Sequence, residues 1–141
     1  MLILCADDYA LTEGISRAVG ELAAARRLSA TSVMVTTPHW RAAAARLRVH
    51  RGRLAIGLHL NMTLGSPLAP MPRLAPKGTF PQRNRLIAQA LLGIANFDEI
   101  AGEIERQLGA FETGMGFPPD HIDGHEHFCH RRLSDVADAV A

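Results

Sequence analysis

The sequence predicts an α/β protein built from parallel strand–helix units, on three observations. Short β-branched or apolar runs alternate with stretches of helical periodicity. Acidic and imidazole side chains gather where the predicted strands end. The chain has 141 residues, whereas a complete (β/α) barrel takes about 250, so there is room for about half of one. One domain, residues 1–141, is expected, with a C-terminal truncation left open.

The elements follow in order. Residues 2–8 form an apolar run ending in two carboxylates, as a buried parallel strand would. Thr12 is placed to cap a helix that carries Glu13 in its first turn, apolar Ile15, Val19, Leu22 and Ala23 along one face, and Arg26 and Arg27 in its last turn. Residues 31–36 read as a second strand. Pro38 opens a second helix reaching about Arg48, and residues 54–60 form a third strand. Residues 62–97 break the pattern: five of the eight prolines fall here, around a short helical stretch at 85–94. Such an excursion is expected to be an ordered lid or substrate loop. Asp98 is the expected cap of a helix striped by Ile100, Ile104, Leu108 and Phe111, which Gly114 and Gly116 terminate. A fourth strand at 121–125 and a fourth helix from about 133 to 141 complete a βαβαβ-(lid)-αβα order with right-handed crossovers.

Composition narrows the function. Fifteen basic residues stand against fourteen acidic ones, for a net charge of +1, which supplies no electrostatic footprint for nucleic acid. No apolar run approaches the roughly 20 residues needed to span a bilayer, and the N-terminus lacks the basic and apolar regions of a signal peptide. Cys5 and Cys129 form no disulfide framework. A soluble cytoplasmic protein is the expectation.

Three polar clusters sit at strand ends: Asp7 and Asp8, His59, and the run His121, Asp123, His125 and His127. Ligands bind at that edge of parallel α/β sheets. Separately each has an ordinary reading: an Asp pair caps helices, and a histidine in an apolar strand is commonly a hydrogen-bonded core residue. Four titratable groups within seven residues are harder to explain so, because burying them without partners is costly. Together the clusters favour a mononuclear site in which a carboxylate and two imidazoles hold a divalent ion and a second carboxylate acts as general base. A four-ligand structural zinc is not expected, since the cysteines lack ligand spacing and lie far in sequence from most of the candidates.

The segments Ala6-Asp7-Asp8-Tyr9, Gly57-Leu58-His59-Leu60-Asn61-Met62-Thr63 and His121-Ile122-Asp123-Gly124-His125-Glu126-His127 resemble the motifs of the YdjC-like carbohydrate deacetylases (ChbG/HpnK-type). The proline-rich segment also resembles that family's loop at Pro67-Leu68, Pro72-Arg73-Leu74 and Gly78-Thr79-Phe80. The resemblance covers essentially the whole chain and implies a distorted (β/α) barrel that removes the N-acetyl group from an amino sugar by metal-assisted hydrolysis. It implies Asp8, His59 and His125 as metal ligands and Asp7 as general base. Tyr9, Asn61, Thr63, Asp123 and His127 would orient those ligands or touch substrate. The family is described with Mg2+; the imidazole-rich set suits Zn2+ or another transition ion at least as well. The implied partner is an acetylated amino sugar, with a homodimer left open. Three departures stand out: Ala10 where the family often has Gly, Cys129 at the last His position with His130 displaced by one, and a length of about half a barrel. The competing expectations are a catalytically incomplete metal-binding fragment of such an enzyme, or another metal-dependent hydrolase.

Overall fold

The structure is a computed structural model that describes residues 2–127. Its centre is a four-stranded, all-parallel sheet in the order β1 (Cys5–Tyr9), β2 (Ala30–Val33), β3 (Ala55–Leu60) and β4 (Ile122–Gly124). Sequential strands are sheet neighbours, so each crossover returns the chain beside the strand it left. The helices are α1 (Glu13–Ala24), α2 (Trp40–Leu47), α3 (Arg83–Leu91) and α4 (Phe97–Met115), with 3-10 turns at Arg48–His50 and His125–His127.

The expected strand–helix order holds, with shifted ends. The first strand begins at Cys5, leaving Leu2, Ile3 and Leu4 exposed rather than in a buried run. Thr12 caps α1 by accepting from the Ile15 amide, but Arg26 and Arg27 lie beyond its last turn. The cap of α4 is Asn96, whose side chain accepts from the Glu99 amide, and Asp98 instead sits in the first turn, where its charge favours the dipole. Gly116 ends α4 at φ 78°, a left-handed conformation that glycine adopts without strain. The helix expected at 133–141 lies outside the described residues.

Packing explains why these elements persist. Ile56, Leu58 and Leu60 of β3 are fully buried, as a central parallel strand requires. Trp40 of α2 stacks on Phe111 of α4 with ring centroids 6.1 Å apart. The proline-rich segment is fastened to α4: Glu103 accepts from the Leu68 amide at 2.9 Å, and Glu99 accepts from the Arg73 and Leu74 amides at 3.0 and 2.7 Å. Met71, Leu74, Ala75 and Phe80 bury their side chains beneath it. Residues 62–97 thus contain a packed loop and all of α3.

The sheet is curved. Flat strands 4.8 Å apart would set β1 and β4 about 14 Å from each other. Yet Asp8, on β1, has its Oδ1 2.8 Å from Nδ1 of His125, which follows β4 directly, and Cys5 Sγ lies 3.9 Å from His121 Nε2. The two edges therefore bend toward each other, and the side chains on the concave face converge.

Candidate active site

The first strand supplies two neighbouring carboxylates to one face, which regular alternation forbids. A bulge resolves this. Ala6 pairs with Thr31 but Tyr9 pairs with Val33, so three steps along β1 oppose two along β2. Asp8 takes φ 60° at the irregularity, a left-handed conformation that Asp tolerates better than most residues. Both carboxylates then reach the concave side, where Asp7 Oδ1 accepts from Ser32 Oγ at 3.3 Å and Asp8 meets two imidazoles.

Those imidazoles come from different strands. His59, buried in β3, places Nε2 3.2 Å from Asp8 Oδ1, and His125 places Nδ1 2.8 Å from the same oxygen. Their rings meet edge to face, with centroids 5.4 Å apart. One donor atom from each of Asp8, His59 and His125 lies within 4.8 Å of the others. On the far side of the His59 ring, Nδ1 is 2.7 Å from Asp123 Oδ1 and 3.1 Å from Ser32 Oγ. A carboxylate holding one imidazole nitrogen presents the other, with its lone pair, to the centre; this is how ligating histidines are commonly oriented. The donor set therefore fits a divalent transition ion, and its single carboxylate is sparse for an ion that prefers only oxygen.

The electrostatics follow. Burial pulls the His59 imidazolium down, but the hydrogen bond to Asp123 and the charges of Asp123, Asp8 and Asp7 outweigh it, leaving its pKa above the ordinary value. Burial would raise the Asp123 carboxyl; His59, the Ser32 hydroxyl and the His121 ring instead hold it below its usual range. The Cys5 thiol is pushed up to about 11 by burial and by Asp7 and Asp123. The concave face is thus a region of negative potential.

Other expected site residues are distributed. Tyr9 points to the convex side, where its buried hydroxyl donates to the Ala43 carbonyl at 2.9 Å. Asn61 organises the turn after β3: its side-chain oxygen accepts from the Thr63 and Leu64 amides, and its amide nitrogen donates to Thr36 Oγ1 and the Leu64 carbonyl. Thr63 Oγ1 is buried with no hydrogen-bond partner among the described residues. The His127 side chain lies outside what the structure describes. Sequence reasoning passed over Ser32, which touches both Asp7 and His59; a pair of hydroxyl residues within a buried strand was its signal. It also passed over Glu99, Glu103 and Gln107, polar residues four apart on the buried side of α4.

Carboxylates and imidazoles converging on the concave side of a curved parallel sheet define an α/β protein with a candidate divalent-metal site. The family described as YdjC-like protein matches residues 1–141, and the chain belongs to it. Chitooligosaccharide deacetylases from Enterobacter sp. (strain 638) and Serratia marcescens are 38% and 39% identical over 128 residues, 90% of this chain and 49% of each relative. A crystal structure from Enterococcus faecalis V583, described as a candidate cellobiose-phosphate cleavage protein, superposes with a TM-score of 0.82 at 28% identity. It spans 99% of this chain and 54% of that one. The chain therefore spans about half the length of the curated relatives it matches.

Proposed function

We propose that this chain carries the catalytic half-site of a metal-dependent carbohydrate N-deacetylase, acting on N-acetyl amino sugars of the chitooligosaccharide class. In this reading the curved sheet is part of a (β/α) barrel, and residues 62–97 form the wall or lid over its substrate side. The observation that carries it is the convergence of Asp8, His59 and His125, with Asp7 beside them, outside that ligand group and held by Ser32. The names of the curated relatives support the choice of substrate.

Asp8, His59 and His125 would hold the ion. When bound, a divalent ion supplies Lewis-acid polarisation of the acetyl carbonyl and a lowered water pKa. The remaining work falls to the chain. Asp7, exposed and steadied by Ser32, is placed to take the proton of the attacking water as its oxygen joins the acetyl carbon. When the C–N bond breaks, the leaving amine needs a proton, and the newly protonated Asp7 is a source for it; acetate and a free amino sugar result. Asp123 keeps His59 in the orientation and tautomer that the ion requires.

The test is acetate release from N-acetylated chitooligosaccharides, with the protein stripped of metal and then resupplied with Mg2+, Zn2+ or Co2+. Activity is expected only after resupply. Asp7→Asn should lower it by roughly 10²–10⁴-fold, the range for a general base, while metal content stays unchanged. Full activity in Asp7→Asn, or after chelation, overturns the mechanism. Metal binding through Asp8 and His125 without any acetate release would instead favour the reading of a metal-binding portion that needs further residues to turn over.

A further inference from the structure

A second group of metal-ligating atoms lies on the concave face, apart from the Asp8, His59 and His125 cluster. Cys5 Sγ, His121 Nε2 or Nδ1, and a carboxylate oxygen of Asp123 lie within 4.8 Å of one another. The sulfur-to-nitrogen distance is 3.9 Å to His121 Nε2. Tetrahedral bonds of about 2.3 Å to sulfur and 2.0 Å to nitrogen would set those two atoms about 3.5 Å apart, so a shift of a few tenths of an ångström brings that pair to bonding separation.

Sequence distance had argued against a four-ligand zinc built on the cysteines, but the curvature of the sheet brings the β1 thiol to His121, which stands 116 residues later in the chain, immediately before β4. Gly57 is the reason the His121 ring can lie there: a β-carbon at Gly57 would overlap that ring. The His121 backbone is fixed too, its carbonyl accepting from the Leu58 amide at 2.9 Å. Cys5 is exposed and His121 only half-buried, so an ion has access.

We infer that Cys5, His121 and Asp123 form a second metal site, selective for a soft or borderline divalent transition ion of the zinc class. A thiolate and an imidazole favour such ions over Mg2+ or Ca2+. Binding converts the Cys5 thiol to a thiolate; its proton leaves to solvent, and the sulfur lone pair forms the bond to the ion. Three protein ligands leave a fourth position for water. Asp123 would be shared, since its Oδ1 also holds His59. The ion would tie β1 to β4 one layer below the catalytic cluster.

Cobalt titration of the metal-free chain tests this, because Co2+ bound to a thiolate gives a near-ultraviolet charge-transfer band that oxygen and nitrogen ligands alone do not. Wild type should bind two equivalents and show the band. Cys5→Ser should lose the band and one equivalent, and His121→Ala should weaken the same site at least tenfold. Asp8→Asn combined with His125→Ala should keep the band while losing the other equivalent, which separates this site from the deacetylase reading. Cys129→Ser should leave the band in place. Absence of the band in wild type, its survival in Cys5→Ser, or its loss in Cys129→Ser overturns the proposal.

Discussion

Asp8 and Ala10 are both held at positive φ, 60° and 72°, within three residues of each other. For Asp8 the strain goes with a use, since that conformation is what delivers a second carboxylate to the imidazoles. Ala10 is fully buried in the hydrophobic core, where burial of its one methyl group offsets only part of the left-handed strain. Ala10→Gly should therefore stabilise the protein by about 0.5–1 kcal/mol, because glycine adopts this conformation without the β-carbon clash; urea denaturation would reveal a higher midpoint. The His59–Asp123 pair makes a pH prediction for the metal-free protein. His59 has a raised pKa, so its contribution is complete below its ordinary 6.5 and is lost as pH rises through the raised value. Asp123 has a lowered pKa, so its contribution is complete above its ordinary 3.8 and is lost as pH falls through the lowered value. The pair is thus most stabilising in the mildly acidic window between them. Asp123→Asn should cost most there and progressively less in alkali, which denaturation at a series of pH values would check.

Helix α4 serves as the clamp for the proline-rich segment. Glu103, fully buried, accepts from the Leu68 amide, from Gln107 Nε2 and from Arg106 Nε at 2.9–3.0 Å. Gln107 in turn bonds both the amide and the carbonyl of Asn61, tying α4 to the end of β3. Glu103→Ala would leave buried donors unsatisfied and the Arg106 charge without its partner. It is expected to cost about 3 kcal/mol and to expose the segment around Leu68 to faster amide exchange. At the other end of α4, a β-carbon at Gly114 would stand 2.6 Å from Trp40 Cζ2. Gly114→Ala should force the Trp40–Phe111 stack apart at a cost of about 1–3 kcal/mol, seen as a lower thermal midpoint.

For the molecule as a whole, the candidate metal cluster is a cross-link as well as a reaction centre. It joins β1, β3 and the turn after β4, holding the sheet in its curved form. A ligand that binds only the folded state at a concentration of 100 Kd adds about 2.7 kcal/mol of stability. Saturating Zn2+ or Co2+ should accordingly raise the unfolding midpoint of wild type, and Asp8→Asn combined with His125→Ala should abolish the part of that rise due to this cluster. No helix among the described residues is long and apolar enough to cross a membrane. Leu2, Ile3 and Leu4 are 87%, 64% and 53% exposed, and they lead into β1, an edge strand of the sheet. That apolar approach is where sequence periodicity was misleading: three apolar residues before a strand read as its beginning, though the paired register with β2 starts at Cys5, and Leu4 reaches it through its carbonyl, which accepts from the Ser29 and Ala30 amides.

The sequence by itself determined the order of strands and helices, the Thr12 and Gly116 caps, and the presence of Asp8, His59 and His125 at strand ends. These are local matters: periodicity, capping chemistry and strand termini depend on residues a few positions apart. Only the tertiary structure decided which face each side chain occupies and which distant ones meet. The bulge that turns Asp8 inward, Tyr9 outward to Ala43, and Ser32 between Asp7 and His59 all depend on register with a neighbouring strand. The meeting of Cys5 with His121 depends on the curvature of the whole sheet. No window of sequence contains that curvature, because it arises from packing and twist accumulated across four strands.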